Sequence, residues 1–444
     1  MKYSVVTFGC RVNQADSLGF EEELRAAGAS SASAEDADLV VVNTCSVTSS
    51  ADQGARQTIR RIARSNPSAR FVVTGCYATR AAEEVRDLPN VVRVVPNGEK
   101  PQLVQVLRAS GELTTANRFG DGDGSCGSAL EPGVAGRTAF TLRVQTGCAE
   151  TCAYCIIPTT RGAPRSVPVD AVLRESARVV EAGFKEVALT GVHLGSYGRD
   201  LAPRSSLVAL LRALADSDIA GACRFRVSSL EPMDCTADVV ALVSERACFA
   251  HHFHLPLQHA TNGMLRAMRR PYTVEYYAAL VDRIRSLMPN AAIGSDVIVG
   301  FPGETDEDFE ALRSYLVSSP LTHLHVFPYS DRPGTDASAL RDRAPGAVIR
   351  ERARVIRDIS RTLNGAFRAS QSGTTHRALT IEDGSLVVTG NYLKVRIPPG
   401  RARNEWVDVL LEDGGELPSG RLLLSLDDQL SAGGADVASA ALAH

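Results

Sequence analysis

The first part of the chain alternates short apolar runs with segments whose apolar residues recur at helical spacing. The apolar runs predicted as buried strands are YSVVTFGC, DLVVVNTC, RFVVTGC and VVRVVPN. Strands that alternate with helices form βαβ units and hence a parallel sheet. The pattern therefore predicts an N-terminal parallel α/β domain over residues 1–118.

A second alternation of the same kind follows a Gly-rich stretch, residues 119–136, which is predicted to be a linker. The candidate strands of residues 137–368 are TAFTLRVQ, KEVALTG, CRFRVSSL, HHFHLPL, AAIGSDVIVG and LTHLHVFPY. Six β/α units predict an incomplete TIM-like barrel. In such barrels the chemistry lies at the carboxyl ends of the strands.

The pattern changes again over residues 369–430, where short alternating runs are separated by Gly-rich turns. This pattern predicts a small antiparallel β-barrel of the OB-like type. Tyr392, Lys394 and Arg396 alternate along one of its strands, so we expect them to share a face. Residues 431–444 are rich in small side chains and are predicted to form a disordered tail.

The composition is that of an ordinary soluble globular protein, with 444 residues, 44% of them hydrophobic and 22% charged. The formal net charge of -3 means that any surface for RNA must be a local patch. No apolar run reaches the length of a membrane span, so no membrane partner and a cytoplasmic location are expected. Because cytosolic thiols stay reduced, the 10 cysteines indicate metal binding or catalysis before disulfides.

Three cysteines of the N-terminal domain follow predicted strands. Cys10, Cys45 and Cys76 each stand where a strand ends and a helix is about to begin. Parallel strands place such positions at one edge of the sheet, where ligands of open α/β sheets gather. Inert burial is the alternative, since free cysteines are commonly buried. Three equivalent positions favour a metal site.

The stretch TGCAETCAYC places Cys148, Cys152 and Cys155 in the spacing CxxxCxxC, just after the first predicted barrel strand. Structural zinc takes four ligands, and no histidine follows at the usual spacing. A [4Fe–4S] cluster is normally held by four thiolates. Three thiolates would leave one iron open, which suits a cluster that binds a substrate. A partial zinc site is the alternative.

The loop CAETCAYC resembles that of radical S-adenosylmethionine enzymes, with Tyr154 as its aromatic residue. The flanking motifs FGCRVNQADS, VVNTCSVTSSAD, VTGCYA, HLPLQ and VIVGFPGETDEDF resemble the methylthiotransferase family. The resemblance extends over nearly the whole chain, and the C-terminal barrel is similar to a TRAM domain. TGVHLGSYGRDL and NTCSVTSSADQGARQ are most similar to the bacterial members that act on threonylcarbamoyladenosine of tRNA.

The resemblance implies two [4Fe–4S] clusters and S-adenosylmethionine as cofactors. Cys148, Cys152 and Cys155 would hold the radical cluster, whose open iron chelates S-adenosylmethionine, and Cys10, Cys45 and Cys76 would hold an auxiliary cluster that carries or receives the sulfur. The candidate residues for binding S-adenosylmethionine are Tyr154, Gly191 and Gly300.

The expected product is a methylthio group on C2 of N6-threonylcarbamoyladenosine at position 37 of tRNA. The expected partners are a tRNA anticodon stem-loop, an electron donor and a sulfur donor. Isopentenyladenosine tRNA and a ribosomal-protein aspartate are alternative substrates. A non-catalytic metal-cluster RNA-binding protein is an alternative of a different class. The basic stretch Met264–Tyr272, with Arg266, Arg269 and Arg270, is either a solvated helix face or part of an RNA surface.

Overall fold

The computed structural model describes residues 1–113, 132 and 138–423. The N-terminal part contains a five-stranded parallel sheet in the order β2-β1-β3-β4-β5. Its elements in chain order are β1 (Lys2–Thr7), α1 (Arg11–Ala26), β2 (Ser30–Ser31), β3 (Leu39–Thr44), α2 (Ser49–Ser65), β4 (Arg70–Gly75), α3 (Cys76–Arg80), α4 (Ala82–Arg86), β5 (Val91–Val95) and α5 (Leu103–Ala109).

The central strand β3 explains why the apolar runs of this domain are continuous. Every residue of β3 is buried, because helices cover both faces of the sheet. The helical segment between β4 and β5 is broken into α3 and α4 at Ala81, whose φ of -133° and ψ of 55° are not helical. The predicted parallel α/β fold is confirmed.

The central part is built around six parallel strands that are followed by helices, as predicted. Its elements in chain order are β6 (Phe140–Arg143), β7 (Gln145–Thr146), α6 (Ile157–Arg161), β8 (Arg165–Ser166), α7 (Val169–Glu181), β9 (Glu186–Thr190), α8 (Leu207–Ala215), β10 (Arg224–Val227), α9 (Ala237–Glu245), β11 (His252–His254), α10 (Asn262–Ala267), α11 (Val274–Leu287), β12 (Ala292–Val299), α12 (Asp306–Ser318), β13 (His323–Pro328) and α13 (Gly346–Ser370).

These strands form an incomplete barrel. One sheet has the order β10-β9-β6 and the other β11-β12-β13, and a parallel bridge between Phe225 and Phe249 joins them. The outer strand β6 contacts α1 of the N-terminal domain. A second connection is made by Arg332, which donates to Asp52 of α2 at 2.7 Å. The N-terminal domain therefore packs directly against the barrel.

The C-terminal part is a five-stranded antiparallel sheet in the order β16-β15-β14-β17-β18, as the alternating runs predicted. A bridge between Arg396 and Ser419 brings its outer strands together. The strands are β14 (Thr375–Ile381), β15 (Leu386–Thr389), β16 (Lys394–Arg396), β17 (Trp406–Leu411) and β18 (Gly420–Leu423).

The C-terminal sheet is held at the amino ends of the barrel strands by a buried ion-pair cluster. Glu186 accepts from Arg226 at 2.9 Å and from Arg224 at 2.8 Å. Arg226 also donates to the Gly390 carbonyl at 3.0 Å, and Arg224 to that of Val388 at 3.1 Å. Burial alone would raise the pKa of Glu186, but the two arginines outweigh it and lower this pKa to about 2.

None of the described helices is long and apolar enough to cross a membrane. The predicted linker, except Pro132, lies outside the described residues, as do its Cys126 and the predicted tail 431–444.

Candidate functional site

The loop that carries Cys148, Cys152 and Cys155 is closed at its base by a short antiparallel ladder between β7 and β8. Gln145 is buried and donates to the carbonyls of Thr146 at 2.9 Å and Gly147 at 2.8 Å. Gly147 has a φ of +78°, and a Cβ there would lie 2.0 Å from the carbonyl oxygen of Ala163. The glycine that precedes Cys148 is therefore required by the closure of the loop.

Each of the two trailing cysteines of this loop lies in an apolar setting that disfavours a free thiolate. Burial raises the pKa of Cys152 and raises that of Cys155 to about 12. Arg270, only 6% exposed, opposes this effect at Cys152 by donating to its Sγ at 2.9 Å. Arg270 also pairs with Glu231. A buried cation is thus fixed beside the loop sulfurs.

A histidine approaches the same loop from the strand β9 side. His193 pairs with Asp234, with 2.8 Å between Nε2 and Oδ2, and lies 3.9 Å from Glu150. Burial alone would lower the pKa of His193, but Asp234 and Cys148 outweigh it and raise this pKa to about 9. Gly195 makes room for the pair, since a Cβ there would lie 1.9 Å from the Asp234 carboxyl carbon.

The N-terminal cysteines occupy the ends of three neighbouring strands, as the topology predicted. Cys10 is the N-cap of α1 after β1, Cys45 follows β3 directly, and Cys76 begins α3 after β4. Gly9 permits their approach, because with a φ of +87° a Cβ there would lie 2.5 Å from Cys45 Sγ. Burial, with a smaller contribution from the neighbouring Cys10 and Cys76, raises the pKa of Cys45 to about 11.

Cations from both domains surround the N-terminal sulfurs. Arg161 is 5% exposed, contacts Cys76 and lies 3.7 Å from Asp16. Lys100 is buried and pairs with Asp16 at 2.6 Å. Asn97 donates to Cys76 Sγ at 3.6 Å. Two buried cations share one carboxylate here, so the site has excess positive charge that thiolates or an anionic cluster would balance.

The two cysteine groups are close neighbours in space. Helix α6 begins two residues after Cys155 and ends at Arg161, which reaches Cys76. A cavity of about 160 Å³ is lined by Val47 and Thr48, which follow Cys45, and by Tyr154 of the cysteine loop. The sequence suggested two sites, and the structure brings the segments that carry them together.

Below this cavity Asp296 is bound by two histidines of the barrel interior. His254 Nε2 lies 2.8 Å and His325 Nδ1 3.2 Å from its Oδ1. Burial alone would raise the pKa of Asp296, but both histidines outweigh it and lower this pKa. His254 thus has a carboxylate as its hydrogen-bonding partner.

The spacing of the sulfurs bears on the zinc alternative. Three thiolates on one zinc, with Zn–S bonds of about 2.3 Å, lie within about 4 Å of each other. In the described part of the chain, the group whose ligand atoms all lie within 4.8 Å of one another is His254, Asp296 and His325. The three sulfurs of neither cysteine group all lie within that distance, so neither group is arranged for a single zinc ion.

Three further candidate residues are placed as follows. Tyr154 packs edge-on against Phe301, with 6.5 Å between ring centroids, and lines the cavity. Gly191 ends β9, and a Cβ there would lie 3.0 Å from Gln145 Oε1. At Gly300 a Cβ would lie 2.5 Å from Ile349 of α13, so helix packing alone accounts for a glycine there. Their binding of S-adenosylmethionine stays a prediction.

Sequence reasoning missed the buried arginines of both sites. Arg161 carried no expectation, and Arg270 was assigned with Arg266 and Arg269 to a basic surface, whereas it is buried against Cys152. Arg266 is exposed and Arg269 pairs with Asp336. In the structure Arg269 has a φ of 57° in the turn that follows α10, and Arg270 next to it is buried.

Two family descriptions match the chain. Residues 2–96 match the uncharacterized protein family UPF0004, and residues 142–316 match the radical SAM superfamily. The first match covers the three N-terminal cysteines, and the second covers the loop with Cys148, Cys152 and Cys155.

Curated relatives are similar over most of their length. The threonylcarbamoyladenosine tRNA methylthiotransferase of Bacillus subtilis is 33% identical over 88% of this chain and 88% of its own. The enzyme of the same name from Aquifex aeolicus is 36% identical over 89% of this chain and 96% of its own. The tRNA-2-methylthio-N(6)-dimethylallyladenosine synthase of Salinispora arenicola is 36% identical over 79% of this chain and 71% of its own.

A solved structure shares the fold. The radical S-adenosylmethionine methyltransferase TsrM from Kitasatospora setae superposes with a TM-score of 0.54 at 15% identity, and covers 76% of this chain and 75% of its own.

Proposed function

Because the chain belongs to the radical S-adenosylmethionine tRNA methylthiotransferase family, we propose that it transfers a methylthio group to C2 of N6-threonylcarbamoyladenosine at position 37 of tRNA. The observation that carries this proposal is the pair of three-cysteine sites, which α6 connects, since this helix follows Cys155 and ends at Arg161 beside Cys76. The similarity to threonylcarbamoyladenosine enzymes over almost the whole chain supports the choice of substrate.

The family uses S-adenosylmethionine and an iron–sulfur cluster. We assign two [4Fe–4S] clusters, one to Cys148, Cys152 and Cys155 and the other to Cys10, Cys45 and Cys76. When bound, they supply the electron that cleaves S-adenosylmethionine and the site at which sulfur is delivered. Each group offers three thiols, and neither group has its sulfurs as close together as a single zinc ion requires.

The residues around each site adjust charge and exclude water. Arg270 and Arg161 place buried positive charge beside Cys152 and Cys76. At Cys152 this charge opposes the rise in pKa that burial causes. Tyr154, which is buried next to Cys155, lines the cavity from the loop side and would help to exclude water from it.

The tRNA partner is expected to reach the cavity with an unstacked anticodon-loop base, because C2 of a stacked base is inaccessible. The TRAM-like C-terminal domain supports this role, since Tyr392, Lys394 and Arg396 are all exposed on alternate positions of one segment. An electron donor and a sulfur donor complete the reaction. For the whole chain we assign residues 1–118 to the auxiliary-cluster domain, 137–368 to the radical core and 369–430 to RNA binding.

Mass spectrometry of tRNA nucleosides from cells with and without the gene tests this function. Loss of the 2-methylthio derivative of threonylcarbamoyladenosine, with that of isopentenyladenosine unchanged, is the expected result. Loss of the isopentenyl derivative alone would contradict the choice of substrate. No change in either nucleoside would contradict the proposed reaction.

A further inference from the structure

Arg11 is a half-buried cation that the fold leaves without a carboxylate partner among the described residues. It begins α1 directly after Cys10, and its Nη2 donates to the Tyr392 hydroxyl of the C-terminal domain at 3.1 Å. The more deeply buried arginines differ from it, because each has an acidic partner: Arg161 with Asp16, Arg226 with Glu186, and Arg270 with Glu231.

Tyr392 is held in place from its other side. Its backbone has a φ of +67°, the guanidinium carbon of Arg226 lies 4.6 Å from its ring centroid, and the His252 ring lies 5.0 Å away. Its hydroxyl accepts from Arg11, which leaves the phenolic hydrogen available to a further acceptor. Because 48% of Tyr392 is exposed, a ligand can reach that hydrogen.

Both side chains line a cavity of about 450 Å³ where the three domains meet. Two carboxylates also line it, but each has a cationic partner. Glu186 is bound by Arg224 and Arg226, and Glu382 lies 3.4 Å from Lys394. The unpaired charge of this cavity is therefore the guanidinium of Arg11.

We propose that Arg11 and Tyr392 bind the carboxylate of the threonylcarbamoyl group on the target adenosine. This assignment rests on the function proposed above and names the residues that select its substrate. A guanidinium binds a carboxylate through two parallel hydrogen bonds and keeps its charge at every physiological pH. An isopentenyl group offers no acceptor, so it would leave the guanidinium unpaired.

The position of Arg11 along the chain fits this role. Cys10 belongs to the site at which C2 of the adenine must arrive, and Arg11 is its neighbour. The carboxylate of the threonylcarbamoyl group lies several bonds from C2, on the N6 side of the base. The Arg11 side chain begins beside Cys10 and extends into a separate cavity. Its guanidinium is therefore placed away from C2, on the side where the carboxylate would lie.

Binding of three anticodon stem-loop RNAs to the cluster-loaded full chain tests the proposal. They carry threonylcarbamoyladenosine, its methyl ester, or unmodified adenosine, and anaerobic fluorescence anisotropy gives each Kd. Wild type should bind the acid about 10- to 100-fold more tightly than the ester. Arg11→Gln should bring that ratio close to one, and Arg11→Lys should restore part of it.

Two further variants separate this role from a structural one. Tyr392→Phe removes one donor without a change next to Cys10, so its iron content should match wild type while the acid-to-ester ratio falls several-fold. Arg396→Gln is the matched control on the same domain, and it should weaken all three RNAs equally because it lies on the exposed face of β16.

Equal binding of acid and ester by wild type would overturn the proposal. The proposal would also be wrong if both Tyr392→Phe and Arg11→Gln kept the wild-type acid-to-ester ratio while Arg11→Gln had a normal iron content. Failure of the function itself has a different signature. In an activity assay, wild type would then methylthiolate an anticodon stem-loop that carries isopentenyladenosine and not the one that carries threonylcarbamoyladenosine. If it methylthiolates the threonylcarbamoyl RNA yet binds acid and ester equally, only the carboxylate site is wrong.

Discussion

The two three-cysteine sites are similar in chemistry and opposite in construction. Cys148, Cys152 and Cys155 lie on one loop that a two-residue ladder closes. The N-terminal sulfurs come from three strand ends spread over 67 residues, Cys10 to Cys76, and meet only because β1, β3 and β4 are neighbours in a parallel sheet.

Their electrostatics also differ. The loop site has two buried cations, Arg270 and His193, and each has its own carboxylate, Glu231 or Asp234. The N-terminal site has two buried cations, Arg161 and Lys100, on the single carboxylate Asp16. The loop site takes all three sulfurs from one short segment, whereas the N-terminal site depends on the sheet and on a helix donated by the barrel.

The largest effect should follow from Cys152→Ala, which removes a central ligand of the loop site. We expect no detectable cleavage of S-adenosylmethionine and no methylthio product, because two thiolates cannot hold the cluster in its working geometry. Chromatographic detection of 5′-deoxyadenosine measures the first, and circular dichroism verifies the fold. Persistent 5′-deoxyadenosine formation would contradict the assignment of this loop.

Cys45→Ala makes the reciprocal change at the N-terminal site. It should abolish the methylthio product and leave part of the S-adenosylmethionine cleavage, because the loop sulfurs keep their ligands. Assays of 5′-deoxyadenosine and of the modified nucleoside on the same sample separate the two outcomes. Full sulfur insertion by this variant would show that the N-terminal cysteines are structural.

The loop site was easier to predict from the sequence than the N-terminal site, because its three cysteines are close together along the chain. The loop was found from spacing alone, because its ligands are local. The N-terminal site needed the further step that parallel strands end at one edge. The arginines could not be found in this way, since Arg161 reaches Cys76 and Arg270 reaches Cys152 across tertiary contacts that no local pattern encodes. The fold was predicted better, except for the break between α3 and α4.

Replacement of Arg270 or Arg161 should have the next largest effect on activity. Arg270→Gln and Arg161→Gln should each lower the activity about 10- to 100-fold, as loss of a ligand's hydrogen-bonding partner commonly does. Low-temperature electron paramagnetic resonance should show a changed signal only for the site beside the substituted residue. Arg174→Gln, on the exposed face of α7, is the control with no expected change. A shift of both signals by either variant would argue that the sites are one coupled unit.

Glu186→Gln changes neither cysteine site, because Glu186 lies at the junction between the barrel and the C-terminal sheet. It should leave both cluster signals unchanged and lower the free energy of unfolding by about 3 kcal/mol at neutral pH, since two buried arginines lose their partner. The pKa of Glu186 is lowered to about 2 in the folded chain and is near 4.3 when unfolded. Its contribution is thus present above about pH 4.3 and is lost as the pH falls towards 2.

Urea unfolding of wild type and Glu186→Gln at several pH values checks this sign. The difference in stability should be constant from pH 7 to about 5 and then shrink as the pH falls further. A difference that grows on acidification would show that Glu186 is protonated in the folded protein.

The central claim is that each three-cysteine group holds its own cluster, and iron content tests it most directly. Anaerobically reconstituted wild type should bind about eight irons per chain. Simultaneous replacement of Cys10, Cys45 and Cys76 by Ala should leave about four, and so should replacement of Cys148, Cys152 and Cys155. If the wild type binds about four irons and the N-terminal triple variant binds the same number, the N-terminal site holds no cluster and the claim is wrong.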